Sequence, residues 1–227
     1  MRLIFAGGGG ASDSAPLDEL FARWVDPGTV LYWPFASDSP PEDSLQWFTS
    51  IYGPLGIRDI EMWRSLDEMA GVALGSYPGV YIGGGNTFSL LASVRRAGAG
   101  VGLMDFVRDG GVIYGGSAGA ILLGRDIGTA DHADPNDVGL RDTTGLDMAR
   151  GHAIWCHYQP AELPLIRAWS RATHHPVLAM SERTGIAREA DDLRVVGFDP
   201  VFRVDGDESE EFQVGELVPQ THPSVEA

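Results

Sequence analysis

Cysteine, basic residues and long apolar runs are all scarce in this chain of 227 residues, and each shortage excludes a class of protein. A single cysteine, Cys156, rules out an internal disulfide framework and a zinc site built from clustered cysteines. Sixteen basic against 32 acidic residues give a formal net charge of −16, which argues against binding to nucleic acid or to anionic membranes. No apolar run approaches the ~20 residues that a membrane-spanning helix needs, and we expect a cytoplasmic protein.

Segments typical of strands alternate with segments typical of helices along most of the chain. This alternation predicts an α/β fold with a mainly parallel sheet covered on both faces, and later strands that pair antiparallel. The length fits a single domain over residues 1–218 with a tail at 219–227. A short acidic turn is expected at Asp67 and Glu68. The predicted strands are 2–6, 29–35, 59–63, 80–82, 111–114, 153–158, 177–180, 185–187, 194–198 and 201–204, and helices are predicted at 16–24, 42–51, 102–108, 118–123 and 163–172, with one more starting near residue 87.

The glycine run at 7–10 joins the first strand to the first helix, which Ser12 could cap. Such a run invites comparison with the dinucleotide-binding pattern G-x-G-x-x-G. The match is poor, because Ser12 stands where the third glycine belongs. A tight strand-to-helix turn is therefore favoured over a cofactor site.

A second strand-to-helix turn spells G-x-S-x-G, with Ser117 between Gly115 and Gly119. The glycines let the chain bend sharply, so that the serine is held in the open. The N–H of Ala118, at the start of the helix, is placed to stabilise a developing oxyanion. The same residues also suit a glycine-rich turn with a serine N-cap, so the pentapeptide alone leaves both interpretations open.

A serine nucleophile needs a base, and His157 is the best placed of the six histidines. It falls at the carboxyl end of a predicted strand, the edge at which active sites of open α/β sheets gather. Cys156 should point to the opposite face of that strand, as a buried thiol. The polar loop 125–144 offers three carboxylates for the third position, which the sequence does not separate: Asp131, Asp134 and Asp137.

Three stretches together resemble the peptidase E, or aspartyl dipeptidase, family of serine peptidases, in a wider group that includes cyanophycinases. They are Val-Tyr-Ile-Gly-Gly-Gly-Asn-Thr-Phe at 80–88, Gly-Gly-Ser-Ala-Gly-Ala at 115–120 and Cys-His-Tyr at 156–158, with an acidic loop before the last. The resemblance covers about residues 2–200. It implies a three-layer α/β/α sandwich like that of class I glutamine amidotransferases, with serine where those enzymes carry cysteine.

The resemblance also implies roles for single residues. Ser117 would be the nucleophile and His157 the general base, while the family's acid matches best at Asp131, with Asp134 and Asp137 as alternatives. The cyanophycinase branch uses a glutamate, and the loop contains none. Oxyanion donors are implied at Gly84, Gly85 and Ala118, and substrate contacts at Asn86 and Thr87.

The sequence departs from the family pattern just after the histidine. Aspartyl dipeptidases carry a Gly-Glu-Thr-Arg segment there, whose arginine is expected to pair with the substrate's aspartate side chain. Residues 159–164 read Gln-Pro-Ala-Glu-Leu-Pro, so Arg167 and Arg171 of the following helix are the substitute candidates and a preference for N-terminal Asp stays open.

The resemblance predicts a serine exopeptidase for dipeptides or short peptides, working through an acyl-enzyme. We expect no metal or organic cofactor, and a monomer or homodimer whose partner is a small peptide substrate. A cyanophycinase-like or other amide or ester hydrolase is the alternative within enzymes. A binding protein of the same fold without turnover is the alternative outside them.

Overall fold

Twelve strands and six longer helices build the fold within residues 1–25, 28–65 and 73–219, the ranges that the computed structural model describes. The acidic turn at Asp67 and Glu68, and the tail from 220 onward, lie outside these ranges. The strands are β1 (Arg2–Ala6), β2 (Val30–Trp33), β3 (Ile60–Met62), β4 (Gly79–Ile82), β5 (Val112–Gly116), β6 (Ala153–Trp155), β7 (Val177–Met180), β8 (Thr184–Glu189), β9 (Asp192–Gly197), β10 (Val201–Asp205), β11 (Glu208–Phe212) and β12 (Leu217–Val218). The helices are α1 (Ala11–Val25), α2 (Pro41–Tyr52), α3 (Thr87–Ala97), α4 (Ala99–Arg108), α5 (Ala118–Leu123) and α6 (Leu163–Thr173).

The larger sheet has eight strands in the described ranges, in the order β12-β9-β8-β1-β5-β4-β2-β3. The five strands from β1 to β3 in that order run parallel, whereas β8, β9 and β12 add an antiparallel flank. Strands β1, β2, β4 and β5 are almost wholly buried, which is typical of parallel strands covered on both faces. The carboxyl ends of β1, β4 and β5 meet at one edge, and the glycine turns that follow these strands, at 7–10, 83–85 and 115–119, begin there.

Helices cover both faces of this sheet. Neighbouring residues of β1 show the two sides: Ile4 packs with Phe21 of α1 and Phe48 of α2, while Leu3 packs in the cluster that contains Leu90 of α3 and Leu103 of α4. Alternation along the strand sends Leu3 and Ile4 to opposite faces. The result is the three-layer α/β/α arrangement with a mainly parallel sheet that the sequence predicts.

A second sheet of four strands, β11-β10-β7-β6, adds to the predicted architecture. Strands β6 and β7 are parallel, and β10 and β11 pair antiparallel beside them. One face packs on α6 through Trp155 and Ile166, and Ile154 and Leu178 on the other face join the core of the larger sheet. Because β6 and β7 run the same way, the residues that follow them come out side by side.

Helix α1 begins at Ala11, five residues before its predicted start. Asp13 explains the difference, because its carboxylate accepts a hydrogen bond from the N–H of Gly10 at 3.1 Å and closes the first turn. Ser12 therefore lies inside the helix and does not cap it. No helix in the described part of the chain is both long and apolar enough to cross a membrane.

Candidate active site

Ser117 occupies a strained turn between β5 and α5, with φ 48° and ψ −109°. The glycines around it are needed for space: a Cβ at Gly119 would overlap the carbonyl oxygen of Ile82, and one at Gly115 would lie 2.6 Å from the carbonyl carbon of Gly119. The N–H of Ser117 donates to the carbonyl of Ala6 at 3.1 Å. This hydrogen bond fixes the backbone of Ser117 to the end of β1 and leaves its side chain free to point outward.

His157 follows β6 and is held by the same corner of the fold. Its N–H donates to the carbonyl of Gly7 at 2.9 Å, and its own φ is 56°. A Cβ at Gly8, whose φ is +112°, would overlap Cε1 of the imidazole ring. The first glycine run therefore serves as the surface on which the histidine ring packs, a role for which only glycine leaves space.

A continuous chain of hydrogen bonds joins Ser117, His157 and Glu182. Oγ of Ser117 lies 2.8 Å from Nε2 of His157, and Nδ1 lies 2.9 Å from Oε1 of Glu182. An ionised carboxylate only accepts, so Nδ1 carries the ring proton and Nε2 is left to accept from the serine hydroxyl. This is the arrangement in which histidine can act as a base towards serine.

Glu182 lies in the turn between β7 and β8, and sequence reasoning missed it. It reaches His157 because β6 and β7 are parallel neighbours, so their carboxyl ends are adjacent. The available signal was an acidic residue two positions after the buried run Val177–Met180. The edge rule that selected His157 makes Glu182 a candidate, but only the pairing of β6 with β7 shows that the two residues are neighbours.

The three loop aspartates are not the partners of His157, which corrects the expectation for the acid. Asp131 caps the end of a short 3₁₀ turn and is exposed, and Asp137 is also exposed. Asp134 accepts a hydrogen bond from the N–H of Thr87 at 2.8 Å. This hydrogen bond fixes the loop to the start of α3. Within the described ranges, no hydrogen bond joins these aspartates to the histidine.

The glycine turn at 83–85, which follows β4, lies next to the nucleophile candidate. A Cβ on Gly84 would lie 3.3 Å from Cβ of Ser117, so the backbone there is in close contact with the nucleophile candidate. Gly85, at φ +133°, has no space for a side chain because the carbonyl of Ala36 lies against it. The resemblance implies oxyanion donors at Gly84 and Gly85, and of these two residues Gly84 has its backbone in contact with Ser117.

Asn86 and Thr87 have structural partners in this turn. The Asn86 side chain accepts from the N–H of Ser89 at 2.8 Å as the N-cap of α3, and it donates to the carbonyl of Pro135 at 2.9 Å. Thr87 is fully buried. Asn86 joins the turn to the acidic loop through its side chain and Thr87 through its N–H, and neither residue lines the cavity beside Ser117.

The two arginines expected to contact substrate lie on α6 and point to the second sheet. Arg167 donates to Oγ of Ser209 at 2.8 Å, and Arg171 forms an ion pair with Asp207. Both partners belong to the β10–β11 hairpin. These arginines therefore brace the second sheet.

Cys156 lies beneath the site as a buried thiol. Its Sγ is 3.5 Å from the carbonyl of Ser117 and 3.7 Å from that of Ala6. Burial raises the pKa of the thiol well above its usual range. The thiol therefore stays protonated, and the serine remains the nucleophile candidate.

A cavity of about 220 Å³ opens beside the serine and histidine. Gly8 and Gly84 border it, with Ser117 and His157 at one side. Among the described residues, no group of three or more His, Cys, Asp or Glu side chains is arranged to hold a metal ion. The cavity wall therefore carries a serine hydroxyl that a neighbouring imidazole can activate.

Comparison with protein families agrees with this geometry. The model of peptidase family S51 matches residues 3–196. The chain belongs to peptidase family S51. The resemblance to peptidase E drawn from the three sequence stretches is thereby confirmed.

Curated relatives of this S51 chain carry the name peptidase E. The proteins from Salmonella typhi and from Shigella flexneri serotype 5b are 32% and 30% identical to it over 120 residues. These 120 residues are 52% of this chain and 49% of each relative, so the match spans about half the length of the curated relatives.

Two solved structures share the fold of this family member. A peptidase from an acI-B1 actinobacterium superposes with a TM-score of 0.72 at 18% identity, covering 96% of both chains. A protein assigned to peptidase E from Listeria monocytogenes EGD-e gives a TM-score of 0.67 at 20% identity, over 86% of this chain and 96% of that one. The likeness confirms the fold class expected from the sequence, that of class I glutamine amidotransferases.

Proposed function

We propose that this S51 family member is a serine peptidase that cleaves dipeptides or short peptides with Ser117, His157 and Glu182 as its catalytic triad. The observation that carries the proposal is the unbroken hydrogen-bond chain from the serine hydroxyl to the glutamate. Two strained residues, Ser117 and His157, form the contact, and strain at such positions is concentrated at active sites.

In this mechanism Oγ of Ser117 attacks the scissile carbonyl carbon while its proton passes to Nε2 of His157. The carboxylate of Glu182 holds the ring in the correct tautomer and stabilises the imidazolium that forms. N–H groups at Ala118 and in the Gly84–Gly85 turn, which border the serine, stabilise the oxyanion.

The amine product leaves with the proton that the imidazolium returns to it, and an ester between Ser117 and the acyl half of the peptide remains. Water attacks this ester while His157 takes the proton of the water. The acid product leaves, Ser117 regains its proton, and the enzyme returns to its starting state.

The size and surroundings of the cavity support small substrates. At about 220 Å³ it is smaller than the roughly 300–1,000 Å³ pockets that hold drug-sized ligands. The name peptidase E of the curated relatives points to peptides as the substrate. The bracing roles of Arg167 and Arg171 give no support to a preference for an N-terminal aspartate.

A cyanophycinase-like hydrolase is the second candidate, and one observation favours it. The acid of the proposed triad is a glutamate, the residue type expected in that branch. Cleavage of β-linked Asp-Arg peptides in preference to α-linked ones would support this alternative. The assembled triad argues against a binding protein without turnover.

Hydrolysis of a dipeptide panel by the wild-type protein and Ser117→Ala tests the proposal. The panel contains Asp-X, neutral and basic N-terminal residues, and β-linked Asp-Arg, and a serine-reactive phosphonate reports labelling. We expect cleavage and labelling by wild type and neither by Ser117→Ala. Hydrolysis that survives the substitution would overturn the mechanism.

The cytoplasmic location and the monomer or homodimer expected from the sequence stay predictions. Cell fractionation checks the first, and light scattering of the purified chain checks the second.

A further inference from the structure

The cavity beside Ser117 has an acidic and aromatic wall that the proposed mechanism does not use. Besides the catalytic pair, it is lined by Asp18 of α1 and by Tyr52, Tyr81 and Tyr114. Trp47, which is 43% exposed, stands at its rim. Within the described ranges no arginine lines this cavity, and the chain contains no lysine.

Asp18 is almost fully buried, at 2% exposure, yet it has no cationic partner among the residues that the structure describes. One carboxylate oxygen accepts from Oγ of Ser14 at 2.7 Å and the other from the hydroxyl of Tyr52 at 2.6 Å. Burial raises the pKa of this carboxyl, against the lowering effect of the hydroxyl donors. Buried carboxylates are seldom left without an opposite charge, because their desolvation is costly.

The carboxylate keeps capacity for another donor. Its two oxygens have about four acceptor positions; the hydroxyls of Ser14 and Tyr52 fill two of them, and the hydroxyl of Tyr114 is a third donor that lowers the pKa of this carboxyl. The tyrosine rings around it add negative π-faces: Tyr81 and Tyr114 stack at 4.6 Å between centroids, and Tyr52 meets Tyr81 edge-on at 5.5 Å. Aromatic faces and a desolvated carboxylate both favour a cation.

We propose that this cavity binds a positively charged group of the substrate, an ammonium or guanidinium, with Asp18 as its counter-ion. The inference rests on the proposed function, and it names the substrate class: peptides that place a cation on the acyl side of the bond that Ser117 attacks. The cation has two possible sources, the side chain of a lysine or arginine residue and the free α-amino group. In either case Asp18 determines specificity and takes no part in bond breaking.

Matched substrates separate the two sources. The side-chain comparison uses amides of lysine and of its uncharged analogue norleucine, and the α-amino comparison uses norleucine amides with and without an Nα-acetyl group. We expect wild-type kcat/KM to favour the cationic member of at least one pair by about 10- to 100-fold, the effect of a hydrogen bond to a charged group. Equal rates within both pairs would overturn the proposal.

Asp18→Asn keeps the shape of the side chain and removes its charge. The preference for the cationic substrate should then fall about 10-fold or more, measured as the ratio within a pair, which a merely structural role would leave unchanged. Glu19→Gln is the matched control, because it removes a charge from the same helix on an exposed side chain. An unaltered ratio in a folded Asp18→Asn protein would refute the role of Asp18.

Binding of simple amines decides the question without turnover, and also if Asp18→Asn does not fold. Calorimetric titration of wild type with n-butylamine should show saturable binding that n-butanol does not reproduce. Serine-dependent cleavage without cation preference would refute this inference and leave the proposed function standing. If no peptide is cleaved, the proposed function fails, and amine binding or its absence still decides for or against the cation site.

Discussion

The main chain at Gly8 packs directly against the imidazole ring of His157. A glycine run that by sequence suggests only a tight turn thereby sets the position of the proposed base. The contact has a measurable consequence, because a methyl group at residue 8 and the ring in its present place exclude each other.

Gly8→Ala should lower kcat/KM about 10- to 100-fold, because displacement of a catalytic group by about 1 Å has costs of this order. Gly10→Ala is the control, since a Cβ there meets nothing closer than 3.7 Å. Steady-state kinetics of both variants, with melting temperatures to exclude unfolding, make the comparison. Equal activity in the two variants would contradict the positioning role.

Glu182→Gln should lower kcat by about 10²-fold or more, since a neutral amide no longer fixes the tautomer of His157. The loss should be smaller than for a buried triad acid, because the glutamate side chain is 51% exposed. Asp131→Asn and Asp137→Asn should have little effect. A large loss in Asp131→Asn with a small one in Glu182→Gln would restore the loop aspartate as the acid.

Iodoacetamide should leave native enzyme active and unlabelled, because Cys156 is buried and its pKa is raised. Unfolding in urea should expose one reactive thiol per chain. Mass spectrometry of the alkylated peptide measures both states. Rapid inactivation of the folded protein through Cys156 would show that the thiol is accessible and the site is assembled differently.

Stability should fall between about pH 6.5 and 4 because of His152, which is fully buried. Its Nδ1–H donates to the carbonyl of Ala149 at 2.9 Å, and Nε2 accepts from Nε of Arg203 at 3.3 Å. Burial lowers the pKa of His152 from 6.5 to about 4. As the pH falls through this window the unfolded chain takes up a proton that the folded chain does not, which costs about 3 kcal/mol of unfolding free energy.

Urea denaturation from pH 7 to pH 4 measures this loss. His152→Gln should flatten the pH dependence even if its stability at pH 7 is lower. His174→Asn, which changes an exposed histidine at the end of α6, should leave the slope as in wild type. Identical slopes in wild type and His152→Gln would show that other groups govern acid unfolding.

Local patterns in the sequence predict most of the elements. The buried strands β1, β2, β4, β5 and β7 are short apolar runs. The glycines around Ser117 predict the turn there. Strand β11 could not be recognised this way, because its sequence Glu-Ser-Glu-Glu-Phe is exposed at all but the last residue and pairs as the edge of the second sheet. Its pairing with the neighbouring strand β10 decides that strand, and the apolar pattern of β11 alone does not show it.

The residues of the candidate site also differ in how far the sequence alone predicts them. Ser117 and His157 carry local signals, a glycine elbow and a strand end. Glu182 depends on the parallel pairing of β6 with β7, which local patterns do not reveal. Asp18 is still harder to predict from the sequence. An acidic residue beside Leu17 in an amphipathic helix looks like any solvent-facing residue until the cavity around it is known.

The carbonyls of Ala6 and Gly7 hold the backbone of Ser117 and of His157, one after the other along the chain. Movements of β1 relative to the rest of the fold therefore carry the hydroxyl and the imidazole together, and the 2.8 Å gap between them changes little. The turn that carries Glu182 is fixed to the same corner, because the N–H of Gly7 donates to the carbonyl of Thr184 at 3.0 Å. Thermal motion of this corner should accordingly move the three side chains of the proposed triad together.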